Sequence, residues 1–180
     1  MKHIAETKKW LESVVIAHNI CPFAKRVFDE GKIHFQVDNA TDVEICLENL
    51  LDECARLDEN EAIETTLIIY PKGFTDFDEY LDFVEIAGAL LEAEDYEGIY
   101  QLASFHPNYC FEGSNENDAA NYTNRSPYPM LHLLREDSLE KALAHYPNPE
   151  TIPENNIKLT RELGLEKMRA MLASCVEKTS

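Results

Sequence analysis

The pattern of hydrophobic and polar positions along the chain predicts four β-strands. The segment Lys32 to Val37 alternates between the two classes, as a half-buried strand does, whereas Thr65 to Tyr70 (TTLIIY) is a continuous apolar and β-branched run. A run of that kind is typical of a strand covered on both faces. The other two strands are predicted over Gly98 to His106 and Met130 to Arg135.

Apolar residues at helical spacing predict helices between these strands and at both ends of the chain. The best-marked start is Thr41, where Thr41-x-x-Glu44 matches a capping box. The predicted helices run from about Ile4 to Asn19, Phe23 to Glu30, Thr41 to about Leu57, Asp76 to Ala93, and Ser138 to His145 or Tyr146. Two further helical pieces meet at Gly164 and end near Lys178.

The order of these elements is helix-helix, then β-α-β-α-β-β, then helices, which predicts an α/β fold. Strands that alternate with helices pair in parallel through right-handed crossovers. The third and fourth strands have no helix between them, so we expect them to be antiparallel. We predict a single domain over residues 1–180, with a small mixed, partly parallel sheet of four to five strands covered by helices and extra helices at both termini.

Composition and charge exclude several classes of partner. Hydrophobic residues make up 44% of the chain, as in globular proteins, and the formal net charge is −18. Such an acidic chain is a poor match for nucleic acid or an anionic membrane, both of which attract lysine and arginine. No apolar run is long enough to span a membrane, and the N-terminus lacks a signal-peptide pattern. We expect a cytoplasmic protein that binds neither nucleic acid nor membranes, and its oligomeric state stays open.

The five cysteines are an odd number and do not indicate a disulfide framework. Cys46 and Cys54 follow the apolar side of one predicted helix, and Cys175 lies in the last helix. Because small thiols pack well among aliphatic side chains, all three are predicted to be core residues.

Cys21 is the thiol with a predicted chemical role. Pro22 is favoured at the first position of a helix, which would make Cys21 the N-cap residue. There the helix dipole and the nearby Lys25 and Arg26 would lower the thiol pKa. Cys21 would then be a catalytic nucleophile, with His18 as proton acceptor. The alternative is a buried cysteine at a helix boundary.

The connection between the third and fourth strands, residues 107–129, is the strongest candidate for a functional segment. Connections longer than about 15 residues in compact domains are usually functional or disordered, and the aromatic residues here argue against disorder. His106 precedes the connection at the carboxyl end of the third strand, where ligands bind in open α/β sheets. We predict that one rim collects His106, Tyr109, Lys72, Arg125 and His132.

Within this segment, Arg125 offers a planar pair of donors for a carboxylate or phosphate. His106 and His132 are predicted to be catalytic residues that move protons. The alternatives are that Arg125 pairs with an acidic side chain, that the asparagines satisfy the loop backbone, and that His132 is a hydrogen-bonded core histidine. The expected ligand-binding residues are Lys72, Tyr109, Asn121, Asn124, Arg125, Ser126 and Tyr128.

No cofactor is indicated by the sequence. The spacing of cysteines and histidines matches no zinc signature, and the scattered glycines form neither a phosphate loop nor a dinucleotide-binding turn. No metal ligands are therefore assigned, and whether a metal binds stays open.

Three blocks of the sequence resemble a known family. HNICPFA (18–24), SFHPNYCF (104–111) and NYTNRSPYPMLHLLRE (121–136) are similar to the signature blocks of a bacterial family of similar length, known only as a domain of unknown function. The stretch IPENN (152–156) fits as well, so the resemblance extends over nearly the whole chain. It implies no activity, but its blocks coincide with the residues selected above on chemical grounds.

Two functions fit these observations. One is a soluble enzyme that acts on a small anionic metabolite, a carboxylate or phosphate, in a pocket built by residues 106–135 and joined by Cys21 if that thiol is within reach. The other is a non-catalytic regulatory module that binds a ligand or metal in the same pocket. A protein-interaction adaptor that uses the acidic helices is a third, weaker interpretation.

Overall fold

The computed structural model describes residues 1–177, which form one four-stranded sheet with helices on both faces. The strands are β1 (Ile33–Val37), β2 (Thr65–Ile69), β3 (Tyr100–Phe105) and β4 (Met130–Arg135). The helices are α1 (Lys2–Trp10), α2 (Ala24–Asp29), α3 (Val43–Glu59), α4 (Phe77–Ala93), α5 (Glu136–Ala144), α6 (Ile152–Leu163) and α7 (Leu165–Cys175). A π-helical segment (Leu11–Ile16) and two 3-10 helices (Ala119–Thr123 and Pro149–Thr151) complete the described elements.

The sheet is mixed, with the strand order β1-β2-β4-β3. β1 and β2 are parallel, and β4 is antiparallel to both β2 and β3. The first three strands therefore run in the same direction, and β4 lies between two of them. This arrangement confirms the predicted α/β fold with a partly parallel sheet, including the antiparallel pairing of the last two strands.

Each face of the sheet packs on its own hydrophobic core. Side chains of α3 and α4 cover one face, and side chains of α1, the π-helical segment and α7 cover the other. All five residues of β2 are buried, because Leu67 and Ile69 point into one core and Ile68 points into the other. Cys46, Cys54 and Cys175 are fully or almost fully buried in these cores, which confirms their predicted role.

Two local predictions were wrong in informative ways. The Asp42 side chain, rather than Thr41, caps α3 by accepting hydrogen bonds from the backbone N–H groups of Glu44 and Ile45 at 3.0 and 3.3 Å. The first helix is not one continuous α-helix, since α1 passes into the π-helical segment. Leu11, Val14 and Val15 of that segment are buried, and π-helical turns are frequent at functional sites.

Among the helices that the structure describes within residues 1–177, none is long and apolar enough to cross a membrane.

Candidate functional site

A cavity of about 700 Å³ lies over the sheet face that packs on α1 and the π-helical segment. Three strands contribute Leu67, Phe105 and His132, and the N-terminal helices contribute Trp10, Leu11 and Val15. The other walls come from residues 20–24, from the 107–129 connection and from α6. Its volume is in the range of small-molecule binding sites, and most of its deep surface is apolar.

His132 is the titratable group on the sheet side of this cavity. It lies in the middle of β4, opposite Leu67 of β2 and Ala103 of β3. Its Nε2 is 2.6 Å from the Thr65 hydroxyl oxygen, and that hydroxyl itself donates to the Leu133 carbonyl. Because the single hydroxyl proton of Thr65 is used, His132 Nε2–H must be the donor in this pair.

This hydrogen bond fixes the tautomer of His132. With the proton on Nε2, Nδ1 carries a lone pair, and Nδ1 has no hydrogen-bond partner among residues 1–177. Burial lowers the pKa of His132 to about 4, so the imidazole is neutral at physiological pH. The cavity is therefore lined by an uncharged proton acceptor with one free nitrogen.

Cys21 lines the same cavity, but its chemistry differs from the prediction. α2 begins at Ala24 with Phe23 as its N-cap residue, so Cys21 lies outside the helix end. Burial raises the pKa of the Cys21 thiol, and the backbone N–H groups of Phe23 and Ala24 oppose that rise only in part. The predicted lowering of this pKa is wrong, because loss of hydration outweighs the helix dipole.

Arg161 of α6 is the cationic side chain that lines the cavity, and sequence reasoning missed it. Its Nε and Nη2 donate to the two carboxylate oxygens of Asp118 at 3.1 and 2.6 Å. This pairing lowers the pKa of Asp118 to about 2. The Arg161 side chain is 59% exposed, which puts the guanidinium at the mouth rather than the base of the cavity.

Asn124 and Asn156 belong to the polar part of the wall, together with Ser114, Asn115 and Thr123. Asn124 Nδ2 donates to the Ser104 carbonyl at 3.1 Å, and Asn156 Nδ2 donates to the Ile20 carbonyl at 2.8 Å. Both side chains line the cavity. Asn156 belongs to the IPENN stretch, so the family resemblance already marked the start of α6 as a shared feature. Nothing in the spacing of that stretch indicated that α6 contacts the 107–129 connection.

His106 is placed outside the cavity and is fully buried. Its Nε2–H donates to the Phe74 carbonyl at 2.9 Å, and its Nδ1 accepts from the Asn108 backbone N–H at 3.0 Å. Burial lowers the pKa of His106 as well. Because both nitrogens are occupied and the ring packs on Phe77 and Tyr80, this histidine holds the start of the connection.

Arg125 is also used inside the connection. Its Nε donates to the Tyr109 carbonyl and its Nη2 to the Glu116 carbonyl, both at 2.9 Å. The guanidinium lies over the Tyr122 ring at 4.8 Å. These contacts close the loop on itself and leave the guanidinium outside the cavity wall.

The remaining predicted ligand-binding residues have similar internal partners or face solvent. Asn121 is buried and bonds to the backbone of Phe111 and Asn115. The Ser126 hydroxyl donates to the Tyr128 carbonyl, and the Tyr128 hydroxyl donates to Glu6. The Tyr109 ring packs on Phe77. Lys72 is exposed.

The structure thus divides the predicted site residues into two groups. Cys21, Asn124 and His132 line one cavity. The expected rim does not form around that cavity, because His132 projects from the middle of the sheet face while His106 and Lys72 follow the strand ends. The predicted residues that do not line the cavity are His106, Lys72, Tyr109, Asn121, Arg125, Ser126 and Tyr128.

Metal ligands are not grouped within the described part of the chain. Across residues 1–177, no set of three or more His, Cys, Asp or Glu side chains is arranged to hold a metal ion.

Comparison with known proteins identifies a family without assigning a function. No curated protein and no solved structure matches the chain. The family described as "Protein of unknown function (DUF1415)" matches residues 2–170, which confirms the resemblance carried by the three sequence blocks. The chain belongs to the DUF1415 family.

Proposed function

We propose that the protein is an enzyme that acts on a small anionic organic molecule bound in this cavity. The observation that carries the proposal is His132, which is neutral, half-buried and held by Thr65, with a free Nδ1 in the wall of a largely apolar cavity. A neutral imidazole with one occupied nitrogen and one free nitrogen is the usual arrangement of a general base.

The reaction class that fits this geometry is proton transfer. His132 Nδ1 accepts a proton from the substrate, the imidazole becomes an imidazolium whose Nε2–H stays bonded to Thr65, and the substrate is left as its conjugate base. Burial alone makes His132 a weak base. The negative charge that develops on the bound ligand beside Nδ1 as the proton leaves stabilises the imidazolium and so raises the pKa of His132 toward the working range.

Arg161, whose charge is balanced by Asp118, supplies N–H donors for an anionic substrate. Two of the five N–H donors of Arg161 are bonded to Asp118, so the guanidinium keeps three donors for a carboxylate or phosphate at the mouth. Asn124 and Asn156 lie on the same wall. The Cys21 thiol is protonated at neutral pH and contacts the ligand as a weak donor in this scheme, rather than attacking it.

A second function, ligand binding without turnover, is favoured by one observation. A pKa of about 4 makes His132 a poor base unless a ligand raises it. If no ligand does so, the cavity serves a regulatory module that captures the same kind of molecule. The two functions share a site and differ in whether the bound molecule is converted.

The cytoplasm is the compartment that we propose for this activity. Free thiols such as Cys46 and Cys54 are kept in the core, which fits a reducing environment. The net charge of −18 supports a small molecule, rather than nucleic acid or an anionic membrane, as the partner.

The test begins with a thermal-shift screen of a metabolite library against the wild type, Arg161→Gln and Lys158→Gln. Lys158→Gln is the matched control, because this substitution removes one positive charge from the same helix at a residue that does not line the cavity. Anionic compounds should raise the melting temperature of the wild type and of Lys158→Gln but not of Arg161→Gln. Equal shifts in all three proteins would contradict the proposed anion site.

Each compound that binds is then incubated with the wild type and with His132→Gln, and its conversion is followed by mass spectrometry. Conversion by the wild type that is lost in His132→Gln, with binding retained, supports the enzyme. Binding without conversion in either protein supports the regulatory module. Conversion that persists in His132→Gln would overturn the role of His132.

A further inference from the structure

We infer that the ligand of this cavity is a hydroxylated organic acid, with its hydroxyl at the inner end beside His132 and its carboxylate at the mouth beside Arg161. This inference rests on the proposed function and adds the polarity and orientation of the ligand. It is drawn from the fixed tautomer of His132 and from the separation of charged and apolar residues along the cavity.

The inner end requires a hydrogen-bond donor. Thr65 donates to the Leu133 carbonyl and accepts from His132 Nε2–H, so neither side chain can reverse its role without losing a bond. His132 Nδ1 is therefore presented as an acceptor. An O–H group satisfies it, whereas an ether or carbonyl oxygen at the same place would set two lone pairs against each other.

The body of the ligand must be apolar. Around His132 the cavity is lined by side chains without charge, chiefly Trp10, Leu11, Leu67 and Phe105. Burying a charged or strongly polar group among them would cost several kcal/mol unless it found a partner. A carbon skeleton, aromatic or aliphatic, meets this requirement.

The outer end carries the negative charge. The charged side chains that line the cavity are Glu112, Asp118 and Arg161, which belong to the 107–129 connection and to α6. Glu112 is exposed and Asp118 is paired with Arg161, so the remaining N–H groups of Arg161 are the donors that bind a carboxylate there. A carboxylate at the inner end would instead be held away from this cation and would lose its hydration.

Matched probe pairs test the ligand class directly. The probes are 4-hydroxybenzoate and 3-(4-hydroxyphenyl)propanoate, which differ in length, and the 4-methoxy counterpart of each. Affinity is measured by isothermal titration calorimetry. At least one hydroxy acid should bind about tenfold or more tightly than its methoxy partner, since methylation removes the donor and leaves Nδ1 unsatisfied.

Thr65 variants test the reason for that preference. Thr65→Ser keeps the hydroxyl and should keep the discrimination between hydroxy and methoxy probes. Thr65→Val keeps the shape but frees His132 Nε2–H, so the tautomer can change and the discrimination should fall toward equal binding. The ¹⁵N chemical shifts of His132 report the tautomer without any ligand, and should show a protonated Nε2 in the wild type and in Thr65→Ser.

Three results would overturn the inference. These are an Nδ1-protonated His132 in the wild type, equal affinity for hydroxy and methoxy probes, and no binding by any of the four probes. None of them bears on the metabolite screen with Arg161→Gln, so the proposed function can survive the loss of the inference. Equal melting-temperature shifts in the wild type, Arg161→Gln and Lys158→Gln in that screen would instead remove the proposed function itself.

Discussion

The 107–129 connection and the cavity beside it contain the same kinds of residue with different partners. At the start of the connection His106 has both ring nitrogens occupied, and within it Arg125 donates to two backbone carbonyls. In the cavity, His132 has a free Nδ1 and Arg161 pairs with an acid at the mouth. A histidine or arginine in a long loop is thus not evidence of a ligand until its hydrogen bonds are counted, because the loop backbone needs donors and acceptors as well.

The largest expected effect separates the two histidines by stability. His106→Ala leaves the Phe74 carbonyl and the Asn108 N–H without their partner and opens a gap against Tyr80, so we expect a loss of about 3–5 kcal/mol in the free energy of unfolding. His132→Ala removes one hydrogen bond from a wall that already faces a cavity, and should cost under about 2 kcal/mol. Urea unfolding measures both, and equal losses would contradict the division into structural and functional histidines.

The pH dependence of stability sharpens the same comparison. The pKa of His132 is about 4 in the folded protein and about 6.5 in the unfolded chain. Between pH 4 and pH 6.5 the imidazole is therefore protonated in the unfolded chain but neutral in the folded protein. Stability is therefore fully present above pH 6.5 and falls as the pH drops toward 4, with about 3 kcal/mol arising from His132. His132→Gln should flatten this part of the curve in urea unfolding between pH 4 and 7.5, whereas an unchanged slope would argue against a neutral imidazole in the cavity wall.

The two arginines should differ next. Arg125→Ala removes two charge-assisted bonds to the carbonyls of Tyr109 and Glu116 and the contact with Tyr122, which predicts a loss of about 2 kcal/mol in the free energy of unfolding. Arg161→Ala breaks an exposed pair at the mouth and should change stability little. Chemical denaturation of both variants beside the wild type provides the measurement. A larger loss in Arg161→Ala would mean that α6 depends on this pair for its position.

Much of the fold could be predicted from local patterns, because those patterns record burial. The apolar run that begins at Thr65 predicted β2, and β4 was predicted with the same bounds as in the structure. The site was harder, because its geometry depends on residues far apart in sequence. Thr65 and His132 are separated by 67 positions, and Asp118 and Arg161 by 43. The insertion of β4 between β2 and β3, which creates the Thr65–His132 pair, leaves no local signature.

The smallest expected effect concerns the Cys21 thiol. Its raised pKa predicts a smaller thiolate fraction than that of a free cysteine, so alkylation by iodoacetamide at pH 7.5 should be several-fold slower than for glutathione under the same conditions. Peptide mass spectrometry of the native protein follows Cys21 separately from the other cysteines, and unfolding in urea should remove the difference because it restores hydration. Alkylation faster than that of glutathione would mean that the α2 end does activate this thiol, and would turn the cavity from a proton-transfer site into one with a nucleophile beside His132.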